Sequence, residues 1–229
     1  MGRRFDVVVC DLDGTLVDTA ALHISSSHHA VESVLGREVT DETVHLSLGR
    51  PLPESVAVLA RGAGIASDAE VARVTPPLIT AFLDYYAAHQ ASFVRLFPGV
   101  AQTLATLRDR GYQLAVLSNK LRDWGRIEMD ALGLAAQFAV SVFADDMPEA
   151  KPSGRALDPV LAALDVLPGR VLLVGDGAAD MLCARAAGAR SAAALWGAVA
   201  PGPLRDLAPD YLLDAPQDLL AVCPDDRDA

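Results

Sequence analysis

Short continuous apolar runs alternate with helical patterns along most of this chain of 229 residues. The first run, 5–10, is rich in valine and is followed by acidic residues, which is typical of a fully buried parallel strand. Most of the runs are followed by apolar residues at helical spacing. Such repeated βα units predict an α/β fold with a doubly wound, Rossmann-like parallel sheet. Further predicted strands lie at 112–117, 138–143, 170–174 and 191–196.

The block 19–93 interrupts this alternation, because it carries no strand signal and only helical patterns. We predict its last helix at 76–89, with Thr75 as N-cap and Pro76 at the first helical position. The block is therefore predicted to be a compact helical insertion. The other predicted helices of the block follow Asp18 up to about Leu35 and lie at 41–48 and 53–63.

Composition and charge narrow the range of partners. Hydrophobic residues make up 52% and charged residues 21%, as in a soluble globular protein. A net charge of −11 argues against binding to nucleic acid or to an anionic membrane. No apolar run approaches the length of a membrane span. Three widely spaced cysteines are typical of reduced thiols, so we expect a cytoplasmic protein. The sequence does not reveal the oligomeric state, and a monomer and a homodimer both stay open.

Two aspartates directly follow the first predicted strand, in the sequence DLDGTLVD (11–18). Asp11 and Asp13 are two residues apart, so their carboxylates face one spot if the strand geometry continues to Asp13. Two carboxylates 4 Å apart repel by roughly 4 kcal/mol at an effective dielectric near 20, and a hard cation such as Mg²⁺ would offset this. A polar turn, with Thr15 or Asp18 capping the next helix, is the simpler alternative.

Polar residues also follow two other predicted strands. Ser118 and Asn119 come after 112–117, and Asp176 comes after 170–174. Ligands of doubly wound sheets bind beyond the carboxyl ends of the strands, so these residues and the first aspartates are predicted to meet at one edge. Taken singly, Ser118 and Asp176 could merely cap the helices that follow them.

Four ordered segments, DLDGTLVD (11–18), LSN (117–119), KP (151–152) and GDGAAD (175–180), resemble the motifs of the haloacid dehalogenase-like superfamily. Within it, the chain is similar to the phosphoglycolate phosphatase and β-phosphoglucomutase group. The resemblance implies an α/β core made of 1–18 and 94–229 and a helical cap domain made of 19–93. It also implies a Mg²⁺-dependent phosphatase that hydrolyses a small phosphorylated metabolite, phosphoglycolate-like or a sugar phosphate, through an aspartyl-phosphate.

The resemblance implies a role for each catalytic residue. Asp11 attacks the phosphoryl group, which divides one difficult displacement into two easier ones. Asp13 protonates the leaving alcohol and later deprotonates the attacking water. Ser118 donates a hydrogen bond to a phosphoryl oxygen, and Lys151 offsets the charge of the phosphoryl group.

The resemblance further implies a metal site and substrate contacts. Asp176, with Asp11 and the backbone carbonyl of Asp13, would hold Mg²⁺. Asp180, one helical turn beyond Asp176, would not ligate the metal itself but would orient a metal-bound water or Lys151. The predicted substrate-binding residues are His23, Arg50, Asn119 and Lys120, although His23, Arg50 and Lys120 could equally face water.

Rival activities on the same fold are distinguished by single residues. A haloacid dehalogenase normally lacks the second aspartate, which is present here as Asp13. A phosphonate hydrolase would need a lysine in the cap, and 19–93 contains none. A β-phosphoglucomutase-like phosphomutase and a non-catalytic binding protein on this fold stay open. The unusually long stretch between Lys151 and Asp158 leaves the identity of the substrate open as well.

Overall fold

The computed structural model describes residues 3–197 and 201–225, and it confirms the predicted α/β fold. The strands are β1 (Val7–Cys10), β2 (Val17–Asp18), β3 (Arg95–Leu96), β4 (Gln113–Leu117), β5 (Val140–Val142), β6 (Val171–Gly175), β7 (Arg190–Ala194) and β8 (Tyr211–Leu213). The helices are α1 (Ala20–Leu35), α2 (Asp41–Ser47), α3 (Leu52–Gly62), α4 (Asp68–Phe93), α5 (Val100–Asp109), α6 (Arg122–Ala131), α7 (Asp158–Leu164), α8 (Ala178–Ala187), α9 (Pro201–Asp206) and α10 (Leu219–Val222).

A parallel sheet in the order β5-β4-β1-β6-β7-β8 forms the centre of the described core. The chain builds outward from β1 in one direction and then returns to build the other half, so the strand order reverses at β1. Cys10, the last residue of β1, pairs with Val116 of β4 and Val174 of β6. The segments that follow β1, β4 and β6 therefore leave the sheet side by side, at the position where such folds bind ligands.

The strands of the centre are buried on both faces, which explains their continuous apolar sequences. Every residue of β1 and β6 is buried. One face packs against Leu157 and Val160 of the α7 region and against Cys183 and Ala184 of α8. Burying a valine or leucine side chain stabilises the fold by about 1.5–3 kcal/mol, so this packing holds the strand ends in place.

The chain separates into two compact units. One contains the residues up to Asp18 together with those from Arg95 onward, and the other is Thr19–Val94, against 19–93 expected from the sequence. The second unit consists of α1 to α4. Its buried apolar side chains include Leu22, Val31, Val56, Leu59, Leu78 and Phe82.

The predicted start of the last helix in this unit is wrong. α4 begins at Asp68, and its N-cap is Ser67, whose hydroxyl accepts a hydrogen bond from the backbone N–H of Glu70. Thr75 lies inside the helix and donates to the carbonyl of Val71. Pro76 and its neighbour also lie in the interior, where a proline costs about 3 kcal/mol. Buried apolar residues continue across the prolines and offset this cost, namely Val71, Val74 and Leu78.

Several smaller differences concern short elements. The antiparallel pair β2–β3 and the edge strand β8 are too short to produce a periodic sequence signal. β5 is shorter than the predicted 138–143, and a tight turn at Gly154–Leu157 precedes α7. A frayed tail is predicted at 224–229, of which 226–229 lie outside the described residues. The carbonyl of Pro224 accepts a hydrogen bond from the Tyr112 hydroxyl.

The described helices include none with the length and apolar character that crossing a lipid bilayer requires.

A carboxylate ties the edge strand β8 to β7. Asp210 accepts hydrogen bonds from the backbone N–H and the hydroxyl of Ser191, at 2.9 and 3.2 Å, and from Arg190 at 2.5 Å. Partial burial raises the pKa of Asp210, but these donors outweigh it and lower the pKa below its ordinary value. The ionised carboxylate is therefore the form that holds the edge of the sheet.

We predict that Asp210→Ala lowers the free energy of unfolding by roughly 1–2 kcal/mol at pH 7, since it leaves the Ser191 donors without their acceptor. The pKa of Asp210 is lower in the folded protein, so this stabilisation is complete above the ordinary aspartate pKa and decreases as the pH falls below it. Urea denaturation at several pH values measures both effects.

The matched control is Asp214→Ala, because Asp214 is exposed and lies 4.0 Å from its partner Arg205. Its free energy of unfolding should stay within about 0.5 kcal/mol of the wild type. Equal losses in both variants would contradict the role assigned to Asp210.

Candidate active site

The turn after β1 places the first aspartate against the neighbouring strand. The backbone N–H of Asp11 donates to the carbonyl of Val174 at 2.9 Å, so the pairing with β6 extends one residue beyond Cys10. Gly14 then adopts a φ of +80°, and a Cβ at this position would overlap the carboxylate of Asp176. Only glycine fits such a turn without strain, and Asp176 consequently lies directly against the chain that carries Asp11.

Lys151 lies among the carboxylates at this edge. Its ammonium donates to the carbonyl of Leu117 at 2.8 Å and to Asp180 Oδ1 at 2.6 Å, and it lies 2.9 Å from Asp11 Oδ1. An ammonium has three N–H donors, and these contacts account for all of them. The side chains of Lys151 and Asp180 are each only 2% exposed. The lysine therefore joins the ends of β1 and β4 to α8.

Asn119 holds the backbone of Lys151. Its side-chain oxygen accepts from the Lys151 N–H, and its side-chain nitrogen donates to the Lys151 carbonyl, both at 3.0 Å. The structure thus places Asn119, which follows β4, as a support of the lysine. The substrate contact expected of Asn119 stays a prediction.

Among the described residues, carboxylate oxygens of Asp11, Asp176 and Asp180 lie within 4.8 Å of one another. Such an all-oxygen donor set fits a hard cation such as Mg²⁺. Both oxygens of Asp180 already accept hydrogen bonds, one from Lys151 and one from the N–H of Gly177 at 3.1 Å. Asp11 and Asp176 are therefore better placed than Asp180 to ligate such a cation, and Asp180 is better placed to orient Lys151.

Burial shapes the protonation of this cluster. Burial raises the pKa of Asp11 to about 7; the nearby Lys151 ammonium opposes this, and Asp180 and Asp13 add to it. For Lys151, burial alone would lower the pKa, but Asp11 and Asp180 together raise it above its ordinary value. The lysine is therefore charged, and a cation beside Asp11 would favour the ionised, nucleophilic form of that carboxylate.

Asp13 lies outside the three-carboxylate cluster. The strand geometry does not continue to Asp13, because β1 ends at Cys10, and Asp13 forms an isolated bridge with Val17 instead. Its Oδ1 accepts a hydrogen bond from Lys120 Nζ at 2.8 Å. The condition under which Asp11 and Asp13 would share one strand face is therefore not met, and Asp13 has a separate cationic partner.

Ser118 is buried at the end of β4. Its backbone N–H donates to the Val142 carbonyl at 3.0 Å, and its hydroxyl oxygen accepts from the N–H of Lys120 at 3.2 Å. A hydroxyl that accepts one hydrogen bond still carries its own donor proton. The predicted donation to a phosphoryl oxygen is compatible with this geometry and stays a prediction.

The two predicted substrate residues of the insertion lie in the unit Thr19–Val94. His23 packs edge-on against Phe82, and its Nε2 lies 3.5 Å from the hydroxyl of Ser47. Arg50 is exposed, and its Nε donates to the carbonyl of Leu46 at 2.9 Å. These contacts favour a packing role for His23, and the substrate contacts of both residues stay predictions.

Two residues of the site are absent from the predicted site residues. Trp196 donates from its ring N–H to the carbonyl of Thr15 at 2.9 Å and so braces the turn after β1, a contact that no sequence pattern signals. Glu128 lies 2.6 Å from Lys120 Nζ. The helical pattern could have indicated this residue. Glu128 shares one side of α6 with Gly125 and Met129, and a charged residue is unusual on a side that faces the core.

Comparisons with known proteins agree with this geometry. The family model described as haloacid dehalogenase-like hydrolase matches residues 8–194. A phosphoglycolate phosphatase from Caulobacter vibrioides is 35% identical over 231 residues, which cover 95% of this chain and 93% of that protein. The pyrophosphatase PpaX from Anoxybacillus flavithermus is 28% identical over 219 residues, which cover 96% and 97%.

A solved structure extends the match to three dimensions. A haloacid dehalogenase-like family hydrolase from Streptococcus pneumoniae superimposes with a TM-score of 0.79 at 25% identity, over 95% of this chain and 98% of that one. The family model and the relatives named as phosphatases together confirm the predicted assignment to a phosphatase of this family. The chain belongs to the haloacid dehalogenase-like hydrolase family.

Proposed function

We propose that this hydrolase is a Mg²⁺-dependent phosphatase that acts on a small phosphorylated metabolite, phosphoglycolate-like or a sugar phosphate. The observation that carries the proposal is the buried contact of Lys151 with both Asp11 and Asp180, at the sheet edge that also holds Asp176. A carboxylate nucleophile beside a fixed cation is what phosphoryl transfer requires, since positioning and electrostatics supply most of its catalysis. The similarity to a phosphoglycolate phosphatase supports the substrate class.

In the first step, an oxygen of the Asp11 carboxylate forms a bond to phosphorus, and the bond between phosphorus and the leaving oxygen breaks. Asp13 gives its proton to the leaving oxygen, so the product is released as a neutral alcohol. Lys151 stays beside the reacting carboxylate and offsets the negative charge of the transferred group. Ser118 donates a hydrogen bond to one of the phosphoryl oxygens.

In the second step, water attacks the phosphorus of the aspartyl-phosphate, and Asp13 takes a proton from the water. The bond between phosphorus and the Asp11 oxygen breaks, inorganic phosphate leaves, and Asp11 returns to its carboxylate. Each residue thus ends the cycle in the state in which it began, with Asp13 protonated again.

The magnesium ligands in this proposal are Asp11, Asp176 and the backbone carbonyl of Asp13, with Asp180 supporting the site through Lys151. When bound, the ion supplies positive charge that neutralises the phosphoryl oxygens. The chain's own cations at this edge, Lys120 and Lys151, already pair with carboxylates, which is consistent with the need for an additional cation.

We predict that Asp11→Asn lowers turnover by at least about a thousandfold, because an amide cannot form the phosphoryl adduct. The fold should persist, since the asparagine keeps the size of the side chain. Phosphate release measures the activity, and circular dichroism measures the fold. Mass spectrometry after an acid quench should find a phosphoryl adduct on Asp11 in the wild type.

The control for this variant is Asp109→Asn, an exposed aspartate at the end of α5, which should retain full activity. Near-normal turnover by Asp11→Asn, or an adduct on another residue, would show that the nucleophile is assigned wrongly.

We predict that EDTA abolishes activity and that added Mg²⁺ restores it. Binding to the folded state should also raise the unfolding midpoint of the wild type. Asp176→Asn should require tenfold or more Mg²⁺ for the same rise, because it loses a charged ligand. Without metal this variant should be at least as stable as the wild type, since it removes one of several mutually repelling carboxylates.

Asp123→Asn, on the exposed side of α6, provides the comparison and should respond to Mg²⁺ like the wild type. If Mg²⁺ changed neither the activity nor the unfolding midpoint of the wild type, the proposed metal site would be wrong.

Phosphate release from a panel of substrates tests the proposed class directly. The panel contains two- and three-carbon phosphorylated acids, sugar phosphates, nucleotides and, because of the similarity to a pyrophosphatase, pyrophosphate. We expect the highest kcat/KM for a small phosphorylated metabolite. Transfer of phosphate between positions of a hexose phosphate without release would identify a phosphomutase, and no turnover of any compound would favour a non-catalytic protein.

A further inference from the structure

Glu128 is a buried carboxylate in the middle of α6, and neither catalytic step described above uses it. Its side chain is only 2% exposed, and it lies on the same face of the helix as Gly125. A Cβ at Gly125 would overlap the ring of Phe143, so this helix lies unusually close to the loop after β5. The close approach places Glu128 in the interior of the core unit.

Glu128 is connected to Asp13 through the ammonium of Lys120. Its Oε2 lies 2.6 Å from Lys120 Nζ, and the same nitrogen lies 2.8 Å from Asp13 Oδ1. The side chain of Lys120 is 12% exposed, whereas that of Asp13 is 34% exposed. The more accessible end of the chain of contacts is therefore the carboxylate that transfers protons in the proposed reaction.

Stability does not explain the presence of Glu128. Removing a carboxylate from water is unfavourable, and a buried ion pair often stabilises a protein no better than apolar residues of similar size. Its neighbour Met129 fills the same face of α6 without this cost. Glu128 does, however, fix the position of a long and otherwise mobile lysine side chain.

We propose that Glu128 is a positioning residue for proton transfer: it holds the ammonium of Lys120, which in turn holds one oxygen of Asp13. This inference rests on the proposed phosphatase function. General acid catalysis depends on the placement of the donor within hydrogen-bond reach of the leaving oxygen. If its side chain could rotate freely, Asp13 would therefore be a less effective donor. Glu128 itself touches no reacting atom in this proposal.

The proposed positioning role predicts that the loss of kcat/KM caused by Glu128→Gln depends on the leaving group of the substrate. Phenyl phosphate releases a basic oxygen that needs a proton, whereas 2,4-dinitrophenyl phosphate releases a stable anion that does not. Both substrates present an aromatic ring and the same phosphoryl group. Because kcat/KM reports the steps up to the cleavage of the first phosphorus–oxygen bond, it isolates the proton donation from the later hydrolysis.

With Mg²⁺ present, we expect Glu128→Gln to lower kcat/KM for phenyl phosphate roughly tenfold or more, part of the factor that general acid catalysis typically supplies. For 2,4-dinitrophenyl phosphate the loss should stay within about twofold. A residue that only stabilises the fold would lower both values by the same factor. Asp130→Asn, an exposed change on the same helix, should leave both values unchanged.

A double-mutant cycle tests whether Glu128 acts through Lys120. In a Lys120→Met background, Glu128→Gln should cause no further selective loss, because the contact that it supports is already gone. If Glu128→Gln does not fold, Glu128→Asp takes its place, since it keeps the charge but withdraws the carboxylate by one methylene group. The same selective loss is expected from that variant.

The outcomes separate the two proposals. A wild-type protein that hydrolyses no phosphate ester overturns the proposed function and this inference with it. If the wild type is active, three results overturn only the inference. The Glu128 variants keep their kcat/KM, their kcat/KM falls by the same factor for both substrates, or their selective loss of kcat/KM adds to that of Lys120→Met. A selective and non-additive loss supports the positioning role.

Discussion

The ammonium of Lys151 allows Asp11, Asp176 and Asp180 to occupy one end of the sheet. Carboxylates at 4 Å repel one another by roughly 4 kcal/mol at an effective dielectric near 20, so such a group cannot be assembled without compensating charge. The lysine supplies part of it, and its third contact, with the Leu117 carbonyl, ties it to the sheet. Because Asn119 holds its backbone, the position of the charge follows from the fold rather than from the flexibility of a lysine side chain.

The central strands and the carboxylate-lined edge of the sheet could be predicted because their physical signals are local. A strand buried on both faces needs a continuous apolar run, and the valine-rich run at Val7–Cys10 is shorter than a buried helix would be. Parallel strands end at a common edge, so residues that follow β1 and β6 must lie close together once the topology is known. Asp11 and Asp176 meet for this reason, although 164 residues lie between them along the chain.

The remaining features depend on contacts between distant segments, which local patterns do not contain. α4 continues through Pro76 because the buried side chains on both sides outweigh the lost hydrogen bond, and only the packed structure reveals that balance. The side-chain amide of Asn119 binds the backbone of Lys151, and a contact to backbone atoms cannot be predicted from the residue type at position 151. β8 has three residues and owes its order partly to Asp210.

The small ribbon of β2 and β3 gives the chain a modular organisation. Asp18 pairs with Arg95, so the residues that flank the helical unit on either side are neighbours in an antiparallel ladder. A segment can be inserted between two such neighbouring residues without separating the strands on either side of it. Loops or whole helices could therefore be lengthened, trimmed or exchanged between these points during evolution, and the carboxylate-lined edge of the sheet would keep its geometry.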